Sequence, residues 1–76
     1  MATFFTDDAK KEIGDKLKKA RESLHLSQSK VAFFAEVSPN YYARIERGEE
    51  NFTIEVLLGL AKTLKIKPEE ILAPIF

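Results

Sequence analysis

The chain has 76 residues, 45% of them apolar, enough for one small domain over residues 1–76 and too few for a second core. Twelve lysines and arginines balance twelve aspartates and glutamates, so no overall field draws in nucleic acid or membrane, and a polyanion has to be met by local charge. With no cysteine and one histidine, the chain lacks the parts for a disulfide framework, a thiolate nucleophile or a zinc centre; without a long apolar run it is read as cytoplasmic, with neither a membrane span nor a signal peptide.

Apolar residues recur at spacings of three and four, which predicts an all-α chain of five helices. The first runs from Asp7 to Ser23 behind the N-cap Thr6, with Ile13, Leu17, Ala20 and Leu24 inward. Its lysines at 10, 11, 16, 18 and 19 alternate with acids and read as a solvated face. Ser27 caps a second helix, Gln28 to about Ala35, whose contacts come from Val31, Ala32 and Ala35, with Phe34 a further candidate. After the break Glu36-Val37-Ser38, a third helix opens on Pro39 and ends at Gly48. Thr53 caps a fourth, to about Leu64, with Ile54, Leu57, Leu58, Ala61 and Leu64 inward; Pro68 opens a fifth that Pro74 terminates.

Two short helices joined by a three-residue break have the spacing at which the second lies across the first and projects into a groove. At about 100° per residue, Tyr42, Ile45 and Glu46 share one side of the third helix, and Asn40, Ala43, Arg44 and Arg47 the other. Asparagine can pair with the N6 and N7 of adenine, arginine with the O6 and N7 of guanine, and a small alanine admits a thymine methyl. Asn40, Ala43 and Arg44 are therefore expected to read base edges. Gln28 stands where open amide hydrogens and its own side chain can clamp a phosphate; Ser38, Tyr41 and Arg47 are the other expected backbone contacts.

The series Leu26-Ser27-Gln28, Val31-Ala32, Val37-Ser38, Ile45-Glu46-Arg47-Gly48, Asn51-Phe52-Thr53-Ile54 and Leu60-Ala61-Lys62-Thr63-Leu64 resembles the Cro/C1-type (XRE) helix-turn-helix family over about residues 10 to 72. Within that family, Ser38-Pro39-Asn40-Tyr41-Tyr42 leading into Ile45-Glu46-Arg47-Gly48 is most similar to the controller proteins of restriction-modification systems. The resemblance implies a lambda-repressor-like domain, insertion of the third helix into the major groove of double-stranded DNA, and a homodimer on a palindromic operator. It also implies a structural ion pair between Arg21 and Glu46. The chain departs from the family at Glu36, and at the helix ends His25 and Lys65, where glycine with positive φ is common. Glu49 and Glu50 follow the third helix where many relatives carry basic residues, and Phe33 replaces a usual polar residue.

The apolar arc of the fourth helix, widened by Val56 and Leu60, spans about 200° against the roughly 100° that a surface helix needs. Leu60 with Ile66, Ile71, Leu72, Ile75 and Phe76 therefore makes the expected dimer face, within about residues 64–76 and the helix before them. The function expected is a sequence-specific transcriptional regulator, autoregulatory in the manner of a controller. The alternatives are an interaction module or an antitoxin-type regulator that keeps the fold. No nucleophile with a base, paired carboxylates or glycine-rich phosphate loop stands at usable spacing, so neither an enzyme, a cofactor nor a small-molecule ligand is expected.

Overall fold

A helix leaves its first amide hydrogens without partners, and this chain supplies an oxygen at each start. The computed structural model describes residues 6–73. In it the hydroxyls of Thr6, Ser27, Ser38 and Thr53 accept from the amides of Ala9, Lys30, Tyr41 and Val56 at 3.1, 3.0, 3.1 and 3.2 Å. They open α1 (Asp7–Ser23), α2 (Gln28–Ala35), α3 (Pro39–Glu46) and α4 (Ile54–Leu64). The fifth helix, α5 (Pro68–Leu72), starts with Pro68, and the Glu70 carboxylate accepts from the Lys67 amide at 2.9 Å. The described residues contain no strand.

The first four helices end alike. The second amide past the turn reaches back to close a six-residue ring, from Leu26 to Arg21, Val37 to Ala32, Glu49 to Arg44 and Ile66 to Ala61, at 2.9–3.2 Å. The pattern needs a left-handed residue, and His25, Glu36, Gly48 and Lys65 hold φ at 57°, 61°, 74° and 59°. Three carry a Cβ, which costs about 1–2 kcal/mol where glycine is free of strain. Lys65→Gly is accordingly expected to raise the unfolding free energy by about 0.5–1 kcal/mol, the relief being partly offset by the freer unfolded chain. A urea titration that shows no gain would contradict this.

Helix α1 packs against α3, α4 and α5, while α2 lies between α3 and α4. The core that results unites Ile13 and Leu17 with Val31, Ala32, Tyr42, Ile45, Leu57, Leu60, Ala61, Leu64 and Ile71. Gly14 makes the closest approach, its α-carbon side facing the carbonyls of Ile45 and Glu46.

Several expectations are corrected. α3 stops at Glu46, and Gly48 forms the turn beyond it. Ile54 and Leu58, expected inward, are 61% and 48% exposed. α4 meets α1, α2 and α5, so its inward arc is broad and centres on Leu57, Leu60, Ala61 and Leu64. Leu60 and Ile71 consequently leave the expected dimer face, because both are wholly enclosed by their own chain. Phe34 is no core contact either; it is 58% exposed, edge-on to the 75% exposed Phe33 at 5.5 Å. Ile66 and Leu72 are half-buried, while Pro74, Ile75 and Phe76 lie outside the described residues, as do Met1 to Phe5. No described helix is long and apolar enough to cross a membrane.

Candidate nucleic-acid interface

The inner side of α3 is fixed by a charged network. Arg21 donates from Nε to Glu46 Oε2 at 2.6 Å and from Nη2 to Oε1 at 3.1 Å, and its Nη1 reaches the Leu26 carbonyl at 2.9 Å. Gln28 Nε2 adds a bond to Glu46 Oε1 at 2.8 Å. The two-pronged geometry is that of a guanidinium matched to a carboxylate, and only 14% of the Arg21 side chain and 2% of the Glu46 side chain meet solvent. Burial disfavours the charge on Glu46, but the Arg21 guanidinium, the neighbouring Tyr42 hydroxyl and the Gln28 amide outweigh it and hold the carboxyl below its ordinary range. The hydrogen bond to Glu46 in turn keeps Arg21 more firmly protonated. Burial, with the Glu46 carboxylate beside it, pushes the Tyr42 phenol up.

The network also shows what Gln28 does. Its position at the start of α2 stands as expected, but one amide hydrogen is committed to Glu46, leaving the backbone amides and the rest of the side chain for a phosphate. Tyr41 is half-buried and donates its hydroxyl proton to the Asn51 carbonyl at 3.0 Å, so it meets a phosphate only by exchanging that acceptor. Ser38 is exposed, with its oxygen capping α3.

The outer side of α3 is open. Asn40 and Arg47 are exposed, and Ala43 and Arg44 are half-buried between them. Both arginines meet acids from the segment just after the helix: Arg44 Nε donates to Glu50 Oε2 at 3.0 Å and Arg47 Nε to Glu49 Oε1 at 3.1 Å. The cationic face is thus compensated from within, a feature that the helical wheel did not reveal because Gly48 turns the chain back.

On the lysine-rich face of α1, Lys11, Lys18 and Lys19 are exposed, in keeping with a solvated surface. Lys11 and Lys18, seven residues apart and therefore on one side, line a cleft of about 370 Å³ with Asp15, Gln28, Glu46 and Arg47. The spacing was visible in the sequence; its meeting with Gln28 and Arg47 depends on how α1 crosses α3. Among the described residues no cluster of acids and histidine could hold a metal.

The comparisons with known proteins agree with this geometry. Over 68 residues the chain is 29% identical to control protein C.BamHI of Bacillus amyloliquefaciens, covering 88% of this chain and 84% of that one. The fold matches the restriction-modification controller protein C.AhdI from Aeromonas hydrophila with a TM-score of 0.79 at 32% identity, over 82% of this chain and 94% of that one. It matches the P22 c2 repressor, solved in complex with a synthetic operator, with a TM-score of 0.76 at 28% identity, over 80% of this chain and 92% of that one. The five-helix architecture is therefore lambda-repressor-like. Residues 17–71, which hold the Arg21–Glu46 network, the turn at Glu36 and the open side of α3, match the model of the helix-turn-helix family HTH_3, and the chain belongs to that family.

Proposed function

We propose that this DNA-binding transcriptional regulator acts as a homodimer on a palindromic operator, with α3 of each copy in the major groove. The carrying observation is that Asn40, Ala43, Arg44 and Arg47 point away from the core while Tyr42, Ile45 and Glu46 are buried in it. Asn40, Ala43 and Arg44 read base edges, and Gln28, Ser38, Tyr41 and Arg47 hold the backbone. Lys11 and Lys18 in the cleft beside Gln28 supply the local charge that a neutral chain needs. The copies pair through Ile66, Leu72, Ile75 and Phe76, joined by the apolar surface that Ile54 and Leu58 leave on α4, and pairing sets the two recognition helices about 34 Å apart. The likeness to two control proteins supports reading the chain as a cytoplasmic, autoregulatory regulator in the manner of a controller, and like them it is a regulator and not an enzyme.

A gel-shift titration against DNA upstream of the protein's own gene, at two salt concentrations, tests this reading. Asn40→Ala and Arg44→Ala are each expected to weaken specific binding by about 1–3 kcal/mol and to leave binding to scrambled duplex nearly unchanged. Equal losses on both duplexes would refute the assigned roles.

A second reading, an interaction module or antitoxin-type regulator, has one observation in its favour: the exposed, edge-on Phe33 and Phe34. It predicts a partner protein in pull-down, and as a pure interaction module it predicts no retarded complex with any duplex at low salt.

A further inference from the structure

Resting on the DNA-binding reading of α3, we propose that Glu50 is a specificity-determining positioning residue: it grips Arg44 by Nε and presents the terminal edge of the guanidinium to guanine. Gly48, at φ 74°, reverses the chain after α3 and returns Glu50 to the side of Arg44. There Glu50 Oε2 accepts from Arg44 Nε at 3.0 Å, with 43% of the arginine and 31% of the glutamate side chain exposed. The Arg47–Glu49 pair is looser, with both side chains 55% exposed. The segment bearing Glu50 is itself pinned, because the Tyr41 hydroxyl donates to the carbonyl of the next residue, Asn51, at 3.0 Å. The Tyr41 phenol is pushed up by burial and feels Glu50 and Arg44 with opposite signs, so all three groups are close neighbours.

The chemistry follows from the shape of guanidinium. Guanine O6 and N7 are matched by two parallel N–H groups on one edge of a rigid fork. Arg44 Nη1 and Nη2 make no hydrogen bond among the described residues, so the terminal edge is free while Nε is held. Fixing the long side chain in this way spends its rotamer freedom before DNA arrives. The Glu50 charge has a second effect. A phosphate competing for Arg44 meets a carboxylate already there, which lowers the sequence-independent part of binding and leaves discrimination to the base edge.

Selection from a duplex pool randomised over 24 base pairs separates the possibilities. Wild type, Glu50→Ala, Arg44→Ala and the double variant are compared by sequencing the bound fraction, after circular dichroism confirms that each is folded. Arg44→Ala identifies the guanine position. Glu50→Ala is expected to reduce the preference there about two- to fivefold, a loss that vanishes in the Arg44→Ala background. It is also expected to bind the unselected pool more tightly, with a salt slope steeper by about 0.9. A guanine preference unaltered in Glu50→Ala overturns the positioning role while leaving the DNA-binding reading intact. A wild type that enriches no sequence overturns that reading, and this proposal with it.

Discussion

Arg21→Met is expected to remove about 4–5 kcal/mol of stability and Glu46→Ala about 3 kcal/mol, read from the midpoint of a urea unfolding curve at neutral pH. A domain of this size has in total about 4–11 kcal/mol. The order of the two follows from burial. Glu46, with 2% of its side chain exposed, cannot reach water once Arg21 is gone, whereas Arg21 at 14% sits nearer the surface and keeps its bond to the Leu26 carbonyl. The double replacement Arg21→Met with Glu46→Leu is expected to recover most of the loss, because the desolvation cost disappears along with the pairing. Two single losses that simply add would contradict the network.

The same pair sets the acid limb of stability. Glu46 titrates below its ordinary 4.5 in the folded chain, so its contribution is complete above that value and is lost as the pH falls through the lower, folded one. Arg21→Met reverses the sign: the stranded carboxyl is raised by burial, and protonating it relieves the penalty. Its unfolding midpoint is therefore expected to rise between pH 7 and pH 5, where wild type stays flat with respect to this group.

Gly14→Ala is the second large effect. Alanine is favoured over glycine inside a helix by about 1 kcal/mol, which taken alone predicts a gain. The new Cβ, however, would stand 2.6 Å from the Ile45 carbonyl oxygen and closer still to that of Glu46. Those oxygens belong to the last turn of α3, so α1 has to move off α3 and part from the core. Overpacking of this kind costs about 3 kcal/mol, leaving a net loss of about 2 kcal/mol, or about 10 °C in thermal midpoint. Gly59→Ala is the matched control. A Cβ there meets only the Ala35 carbonyl at 4.0 Å, so the helix preference is expected to survive as a gain of up to about 1 kcal/mol.

The sequence was most legible where the governing chemistry is local. Thr6, Ser27, Ser38 and Thr53 place the helix starts because capping needs only one oxygen and an amide three residues on. The turns at His25, Glu36 and Lys65 keep the left-handed shape despite their side chains, because the returning hydrogen bonds outweigh the strain. What a single helix cannot encode is its neighbours. The wheel of α4 shows a wide apolar arc without saying which part is covered, so it suggests Leu60 as outward and Leu58 as inward, the reverse of what packing against three helices produces. Phe34 failed for a like reason, α2 being too short to fix its phase. Gln28, Glu49 and Glu50 share another limit: each makes a side-chain bond that depends on the angle of a turn or a crossing, and spacing carries no such angle.

The bonds from Arg21 and Gln28 to Glu46 tie α3 to the end of α1 and the start of α2. If α3 reads DNA as proposed, a helix anchored in this way has little freedom of orientation of its own to surrender on contact, for that entropy was given up when the chain folded. On that reading, exchanging the outward side chains of α3 is expected to change the target while the Arg21–Glu46–Gln28 anchor keeps the helix at the same angle.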